Sequence, residues 1–349
     1  MQLSKSVRRS LALLQLPLRS NSLHVGVNTG MRSRVLNPFF STDLRLKSFR
    51  TYATNEQFTP PVPPKFNGQA VFPNIPLNGA ISSDADKRNN DADAVFVVTG
   101  ASRGIGLQIL KDLATRTKGT IVACCRAPKE ADHLHSFIKS LPTNESRRIL
   151  LKSLDLEEQE TIETLGKEIE DSHKRVDVLY NVAGILGDGK NTPGPERSLR
   201  SLDRNWAMKS MNVNYIGPVS LSQVLAPMMR STLKKDDRGK SVIVNLSARV
   251  GSISDNGLGG WISYRSSKAA LNQANRTMAH ELKRQGTLCI CLHPGTTDTG
   301  LSKPFQGNVK KERLFPVEFT ASRMIDAVDC MDELNTGGLY DWSGTALPF

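Results

Sequence analysis

Tyr264 and Lys268 stand four residues apart in the stretch Tyr264-Arg265-Ser266-Ser267-Lys268. The residues that follow, Ala269-Ala270-Leu271-Asn272-Gln273-Ala274, are mostly good helix formers. On a helix that spacing stacks the two side chains on one face. A phenol ordinarily loses its proton at about pH 10. An ammonium a few ångströms away favours the phenolate and draws that value toward neutrality. A tyrosine so tuned passes a proton to or from a carbonyl oxygen at working pH. A lone Tyr-x-x-x-Lys is more often an exposed polar pair with no chemistry, so the rest of the chain has to decide.

A second chemical element lies upstream. Ala94–Thr99 is a continuous apolar run, suited to a strand buried on both faces of a parallel sheet. It leads into Gly100-Ala101-Ser102-Arg103-Gly104-Ile105-Gly106 and then a helical pattern over Leu107–Arg116. Strand, glycine-rich turn and helix together are the context of a dinucleotide fingerprint. Gly100 permits the tight turn, Gly104 lets backbone approach a pyrophosphate, and Gly106 lets helix and strand pack closely. The pyrophosphate is then expected at the helix N-terminus, where unpaired amides favour an anion. The next strand, Thr120–Cys125, ends at Arg126 rather than at the acid that usually accepts from the ribose hydroxyls of NAD. Arg126 and Arg103 can clasp a 2′-phosphate through charge-assisted bonds, which favours NADP(H) over NAD(H). The alternative is two solvated surface arginines.

These residues need a scaffold, and the patterning supplies one. Strand-like runs recur at Arg148–Leu154, Val176–Tyr180, Ser241–Leu246 and Thr287–Leu292. Helical patterns alternate with them, including the acidic Glu157–Asp171 and the long Ser201–Arg230. The alternation predicts an α/β domain with a Rossmann-type, doubly wound parallel sheet. Ligands of such sheets bind beyond the carboxyl ends of the strands, where Gly100, Asp155, Asn181, Ser247 and Pro294 fall.

With the pieces in this order, the chain from about Ala94 to its end resembles the short-chain dehydrogenase/reductase family. Thr99 through Gly106 resembles its cofactor loop, and Asp155-Leu156 the pair that holds the adenine. Asn181-Val182-Ala183-Gly184 resembles its Asn-Asn-Ala-Gly signature, with Val182 for the second Asn. Tyr264 and Lys268 resemble its catalytic pair, and Pro294-Gly295 through Thr297 and Thr299 the segment at the nicotinamide amide. Asn245 through Ile253, Gly259-Gly260-Trp261 and His293-Pro294-Gly295 bring the likeness nearest to C-factor-like and sniffer-type carbonyl reductases. The resemblance implies hydride transfer between a nicotinamide and a carbonyl or alcohol substrate. Tyr264 is its acid/base, and Lys268 holds the ribose and lowers the phenol pKa. Asn214, matched through Val213-Asn214-x-x-Gly217, supports a proton-refilling water chain, with Asn212 as the rival that misses the spacing. It also implies a homodimer or homotetramer paired through the helices around Ser201–Arg230 and Tyr264–Arg284.

One departure concerns the carbonyl. The family usually carries two serines after the fifth strand, and the second polarises the oxygen. Here the order is Ser247-Ala248. Strict alternation points Ser247 elsewhere, though a small change in the turn could bring it round, and Ser252 lies five residues on. Ser247 is retained as the candidate ligand. Ala248 also motivates an alternative, a non-catalytic dinucleotide-binding or scaffold protein of the same fold. A reductase of acyl-carrier-linked 3-oxo chains would differ only in substrate.

Other features bound the picture. The 349 residues carry a formal charge of +12. Residues 1–52 hold nine Lys/Arg against Asp43 alone, so the remainder has no basic stripe for nucleic acid. That arginine- and serine-rich start reads as a transit peptide, with Arg50-Thr51-Tyr52-Ala53 resembling a mitochondrial cleavage site; a plastid or cytoplasmic location is the alternative. Its longest uncharged stretch is too short to span a bilayer. Residues 53–93, proline-rich and then polar, read as a disordered linker, with the functional domain over 94–349. The five cysteines fit small buried hydrophobes better than a disulfide framework. His133, His135, His173, His280 and His293 have no metal-ligand spacing. Lys234–Arg238 reads as a solvated loop, and Ser302–Phe315 as a lid over the substrate or an inert surface loop. Trp261 and Ile262 either line the pocket or simply pack.

Overall fold

The computed structural model describes residues 72–231 and 238–349. The expected transit peptide (1–52), the part of the expected linker before residue 72 and the run Lys234–Asp237 lie outside the described residues. In chain order the elements are α1 (Ser83–Asn90), β1 (Val95–Thr99), α2 (Gly104–Arg116), β2 (Thr120–Cys125), α3 (Asp132–Ser140), α4 (Thr143–Ser146) and β3 (Ile149–Ser153). Then come α5 (Gln159–Ser172), β4 (Val178–Asn181), α6 (Arg204–Met211), α7 (Gly217–Leu225), β5 (Ser241–Leu246), α8 (Ile262–Glu281) and β6 (Thr287–His293). The chain closes with β7 (Thr296–Thr297), β8 (Leu314–Phe315), α9 (Val317–Cys330), β9 (Leu339–Asp341) and β10 (Ala346–Leu347).

The main sheet runs β10-β9-β6-β5-β4-β1-β2-β3, parallel throughout except where β10 turns back on β9. This is the doubly wound arrangement expected, and the strand order reverses between β1 and β4, the switch point at which such sheets bind ligands. Apolar runs make such strands because alternate side chains face opposite layers. Phe96 and Val98 of β1 pack on one side with Leu110 and Leu113 of α2 and Phe319 of α9. Val95 and Val97 pack on the other with Ile162 and Leu165 of α5 and Leu221 of α7. Cys124, Cys125, Cys289 and Cys291 are free thiols buried in these layers, and Cys330 is a half-buried one. The long helical pattern of Ser201–Arg230 becomes α6 and α7, joined by a π-turn over Asn212–Ile216.

The disordered-linker assignment fails for residues 72–93. Phe72 and Ile75 are buried, and α1 packs on α9. Ser82 caps α1, its Oγ accepting from the Ala85 amide at 3.2 Å. Arg88 is 2% exposed; its Nη1 donates to the Lys240 carbonyl at 2.8 Å and its Nη2 lies 3.8 Å from Asp329. Asn89 donates to the same carboxylate at 3.0 Å. The arginine of an outwardly solvated pattern is thus buried alongside Ala85, and hydrophobic periodicity carries no sign of it. Removing one partner of a buried charge pair leaves the other uncompensated. Arg88→Ala is therefore expected to lower the unfolding free energy by about 3–5 kcal/mol at neutral pH in denaturant titration. A loss below about 1 kcal/mol would show the segment to be a loosely held tail.

Candidate active site

The loops beyond the carboxyl ends of β1 to β6 enclose a cleft of about 970 Å³, large enough for a cofactor and a small substrate. The glycine loop forms one end. Gly100 (φ +68) turns under Ala183, where an added Cβ would come within 3.0 Å of the Ala183 Cα. Thr99 Oγ1 ties the two loops together, accepting from the amides of Val182 and Ala183 at 3.0 and 3.1 Å. Gly106 packs so tightly that a Cβ would overlap the Gly100 carbonyl. Gly104 (φ +58) faces only the methyl of Thr299, 3.5 Å from the place a Cβ would take. The first turn of α2 has no side-chain cap and no acid. Positive φ at Gly104, open space above it and uncapped amides fit a diphosphate.

Ser102, Arg103, Ile105, Arg126, Asp155, Leu156, Ala183 and Gly184 line the same cleft, as do Pro294, Gly295, Thr297 and Thr299. Arg103 and Arg126 are both exposed, and among the described residues neither is paired with a carboxylate. Asn181 is a correction. It is 2% exposed and does not line the cleft; its Nδ2 donates to Asn245 Oδ1 at 2.9 Å, joining β4 to β5. Thr297 lines the cleft, but its hydroxyl is shared with Thr320 in the interior at 2.9 Å.

Tyr264 and Lys268 project from the start of α8 into this cleft. Tyr264 is half-buried, and Lys268 is 4% exposed, with Nζ 5.7 Å from the phenol ring centroid. That Nζ donates to the Leu246 carbonyl at 2.8 Å. Burial disfavours both charged forms. It pushes the Tyr264 phenol up to about 12 and Lys268 down to about 8. The sequence reading had the ammonium drawing the phenol toward neutrality; in this structure desolvation wins, because the nearest charge is turned to a backbone carbonyl.

Asn214 is fully buried in the π-turn, its amide clasping Ile185: Nδ2 donates to the Ile185 carbonyl at 2.9 Å and Oδ1 accepts its amide at 2.8 Å. A Cβ on Gly184 would sit 3.1 Å from Asn214 Oδ1 and 3.7 Å from Lys268 Nζ, so the three residues converge. Ser247 is 2% exposed and its Oγ donates to Asn272 Oδ1 at 2.6 Å. Ser247 nonetheless lines the cleft, and in the ligand-free protein the hydroxyl of this candidate carbonyl ligand donates to Asn272. Ser252 is buried and does not line the cleft; its Oγ accepts from the Asp255 amide at 3.2 Å. Ala248 lines the cleft in the place a second serine would hold.

Sequence reasoning missed the cleft's apolar wall and its supports. Trp206, Leu186 and Leu258 line it, none of them marked by spacing. Trp261 lines it too, whereas Ile262 is exposed and outside it. Of Ser302–Phe315, Ser302, Pro304, Phe305 and Val309 line the cleft, and the Phe305 ring lies 5.4 Å from that of Trp261. The segment therefore forms a roof rather than an inert loop. Asn272 and Glu196, which hold Ser247 and Ser263, carry no local signal because they act across 25 and 67 residues.

Comparison with known proteins agrees with this geometry. The family model described as short chain dehydrogenase matches residues 94–310, and the chain belongs to that family. Over 254 residues it is 27% identical to a 1-hydroxy-2-glutathionyl-2-methyl-3-butene dehydrogenase of Rhodococcus sp., spanning 73% of this chain and 99% of the relative. The NADPH-bound carbonyl reductase from chicken fatty liver is similar in structure, with TM-score 0.64 and 25% identity over 73% of this chain and 98% of the other. The carbonyl reductase Sniffer of D. melanogaster shares the fold, with TM-score 0.64 and 23% identity over 74% of this chain and all of the other.

The lowered lysine has a thermodynamic consequence. Between its folded value of about 8 and its ordinary 10.5 the unfolded chain binds the proton that the folded chain has released. Stability owed to this residue therefore rises with pH across that window. In the ligand-free protein, the difference in unfolding free energy between wild type and Lys268→Met should move in favour of wild type by about 3 kcal/mol from pH 8 to 10.5. A flat difference would mean that Lys268 titrates like a solvated amine.

Proposed function

We propose that this oxidoreductase is an NADP(H)-dependent carbonyl reductase, interconverting small carbonyl compounds and alcohols with Tyr264 as acid/base. The observation that carries it is one cleft lined by Tyr264, Lys268, the Gly100–Gly106 loop and two unpaired arginines. Amides of the glycine loop and of α2 would hold the diphosphate, Asp155-Leu156 the adenine end, and Arg103 and Arg126 a 2′-phosphate. Lys268 would hold the nicotinamide ribose, and the segment from Pro294 to Thr299 its amide. When bound, the reduced nicotinamide supplies a hydride to the carbonyl carbon.

The chain's own contribution is the proton and the surroundings. Tyr264, raised to about 12, stays protonated at neutral pH and is ready to donate to a carbonyl oxygen. Lys268, at about 8, keeps its ammonium over most molecules at pH 7 and, with Asn214 beside Gly184, lies on the route by which that proton is replaced. Trp261, Phe305, Trp206 and Leu186 offer an apolar, largely aromatic wall, which suits uncharged substrates with a ring or a short apolar arm. With Ala248 in place of a hydroxyl, polarisation of the carbonyl falls on the Tyr264 hydroxyl alone. That same alanine is what favours the alternative, a dinucleotide-binding protein without turnover. A mitochondrial address in residues 1–52 and pairing of subunits through α6, α7 and α8 belong to the same proposal; Met208 of α6, Ile262 of α8 and Ile216 of the π-turn leave apolar surface exposed there.

Assay with NADPH and a panel of small ketones and aldehydes tests the reading. Tyr264→Phe should lower kcat/KM by about 100-fold or more while NADPH affinity stays within about twofold. Wild-type protein that binds NADPH and turns over no carbonyl would leave the non-catalytic alternative standing.

A further inference from the structure

Helix α8, with Tyr264 on its first turn, starts without a cap of its own. Its first amides have no acceptor within the helix, and Trp261 at the capping position supplies none from its side chain. The approach is also unusual. Gly259, Gly260 and Trp261 take successive φ values of +65, +67 and +55. This left-handed region is open to glycine but unfavourable for a tryptophan. Such a turn persists only when its surroundings over-determine it.

The determinant comes from the loop between β4 and α6. Glu196 is 1% exposed. Its Oε2 accepts from the Ser263 amide at 3.2 Å, and its Oε1 accepts from the Ser263 hydroxyl. Its main-chain carbonyl accepts from the Trp261 amide at 2.5 Å. A carboxylate at a helix N-terminus is also favoured by the aligned peptide dipoles. Arg265 closes the turn from the other side, donating to the Gly260 carbonyl at 3.0 Å.

We propose that Glu196 is the positioning residue of the catalytic helix: a buried carboxylate from the loop after β4 that fixes the first turn of α8 and thereby the place of Tyr264. The contacts run on in both directions. Gly194, two residues before Glu196, lies so close to Trp206 in the cleft wall that a Cβ would overlap the indole. On the other side, Trp261 meets Tyr264 edge to face with centroids 6.3 Å apart, and carries Phe305 of the roof. Glu196 therefore joins the substrate-facing loop, the roof and the acid. A substrate that shifts the loop shifts Tyr264 through the same carboxylate.

This inference rests on Tyr264 acting as the acid, and its test has an arm that does not. Glu196→Ala removes the acceptor, whereas Glu196→Gln keeps an acceptor for the amide and a donor for the hydroxyl of Ser263. With the ketone that the wild type turns over best, Glu196→Ala should lower kcat by about tenfold to a hundredfold, as expected for a misplaced acid, with the Kd for NADPH within about twofold. Amide hydrogen exchange at residues 262–265 should rise by about tenfold or more, without a matching rise in the central strands. Glu196→Gln should return both readouts to within about threefold of wild type. Should Glu196→Ala not fold, Ser263→Ala removes one of the two contacts and should give the same pattern at about three- to fivefold. Unchanged kcat and exchange would overturn the proposal. So would a loss of kcat that tracks a loss of NADPH affinity and exchange rising through the whole sheet, which marks a general structural role. A wild type with no turnover would defeat the carbonyl reductase reading, while the exchange measurement still decides whether Glu196 holds the helix start.

Discussion

Two ionisable side chains, one buried and one half-buried, share the start of one helix, and the loss of water around them sets their chemistry. Charge is disfavoured on both, so the phenol of Tyr264 rises and the amine of Lys268 falls. The outcome is a protonated phenol beside an amine poised close to physiological pH. Pairwise attraction would have given the reverse for the tyrosine. It loses here because Lys268 Nζ is directed at the Leu246 carbonyl, and a hydrogen-bonded ammonium 5.7 Å from the ring centroid is a weak handle on the phenol oxygen.

Everything else in the cleft keeps that pair where it is. The strand order reverses between β1 and β4. Residues from the loop after β4, from the end of β5 and from the loop after β6 meet the start of α8: Glu196 at Ser263, Leu246 at Lys268 and Phe305 at Trp261. Asn214 reaches the site because the π-turn between α6 and α7 carries it inward to Ile185 and Ser267, an instance of a helix irregularity placed at a functional position. Ser247 and Asn272 knit the end of β5 to α8 at the edge of the cleft. On the proposed reading, the apolar wall would keep water from competing for the substrate's carbonyl oxygen.

Local patterning made much of this legible. The six parallel strands that build the sheet's core show as apolar runs, the glycine loop shows through its place between strand and helix, and Tyr264 and Lys268 show through helical spacing. What stayed hidden depends on pairs distant in sequence. Arg88 finds Asp329 across 241 positions, and Glu196 finds Ser263 across 67, so no window of sequence contains either partnership. Asn181 reads as a cofactor contact because it ends a strand and opens the Asn-Val-Ala-Gly signature, yet it is buried and its Nδ2 donates to Asn245. β9 and β10, at three and two residues, are too short for periodicity to register. The phenol pKa was misread for a related reason: spacing places two side chains on one face but says nothing of how dry that face is.

The most direct measurement is the titration of Tyr264 itself. With tyrosine labelled at the ring Cζ carbon, the chain has five such signals, and Tyr264→Phe identifies the one that matters. In the ligand-free protein the account predicts a midpoint near 12, well above that of an ordinary phenol. A midpoint at about 9 or below would contradict it, showing that the lysine charge, and not the loss of water, governs the acid.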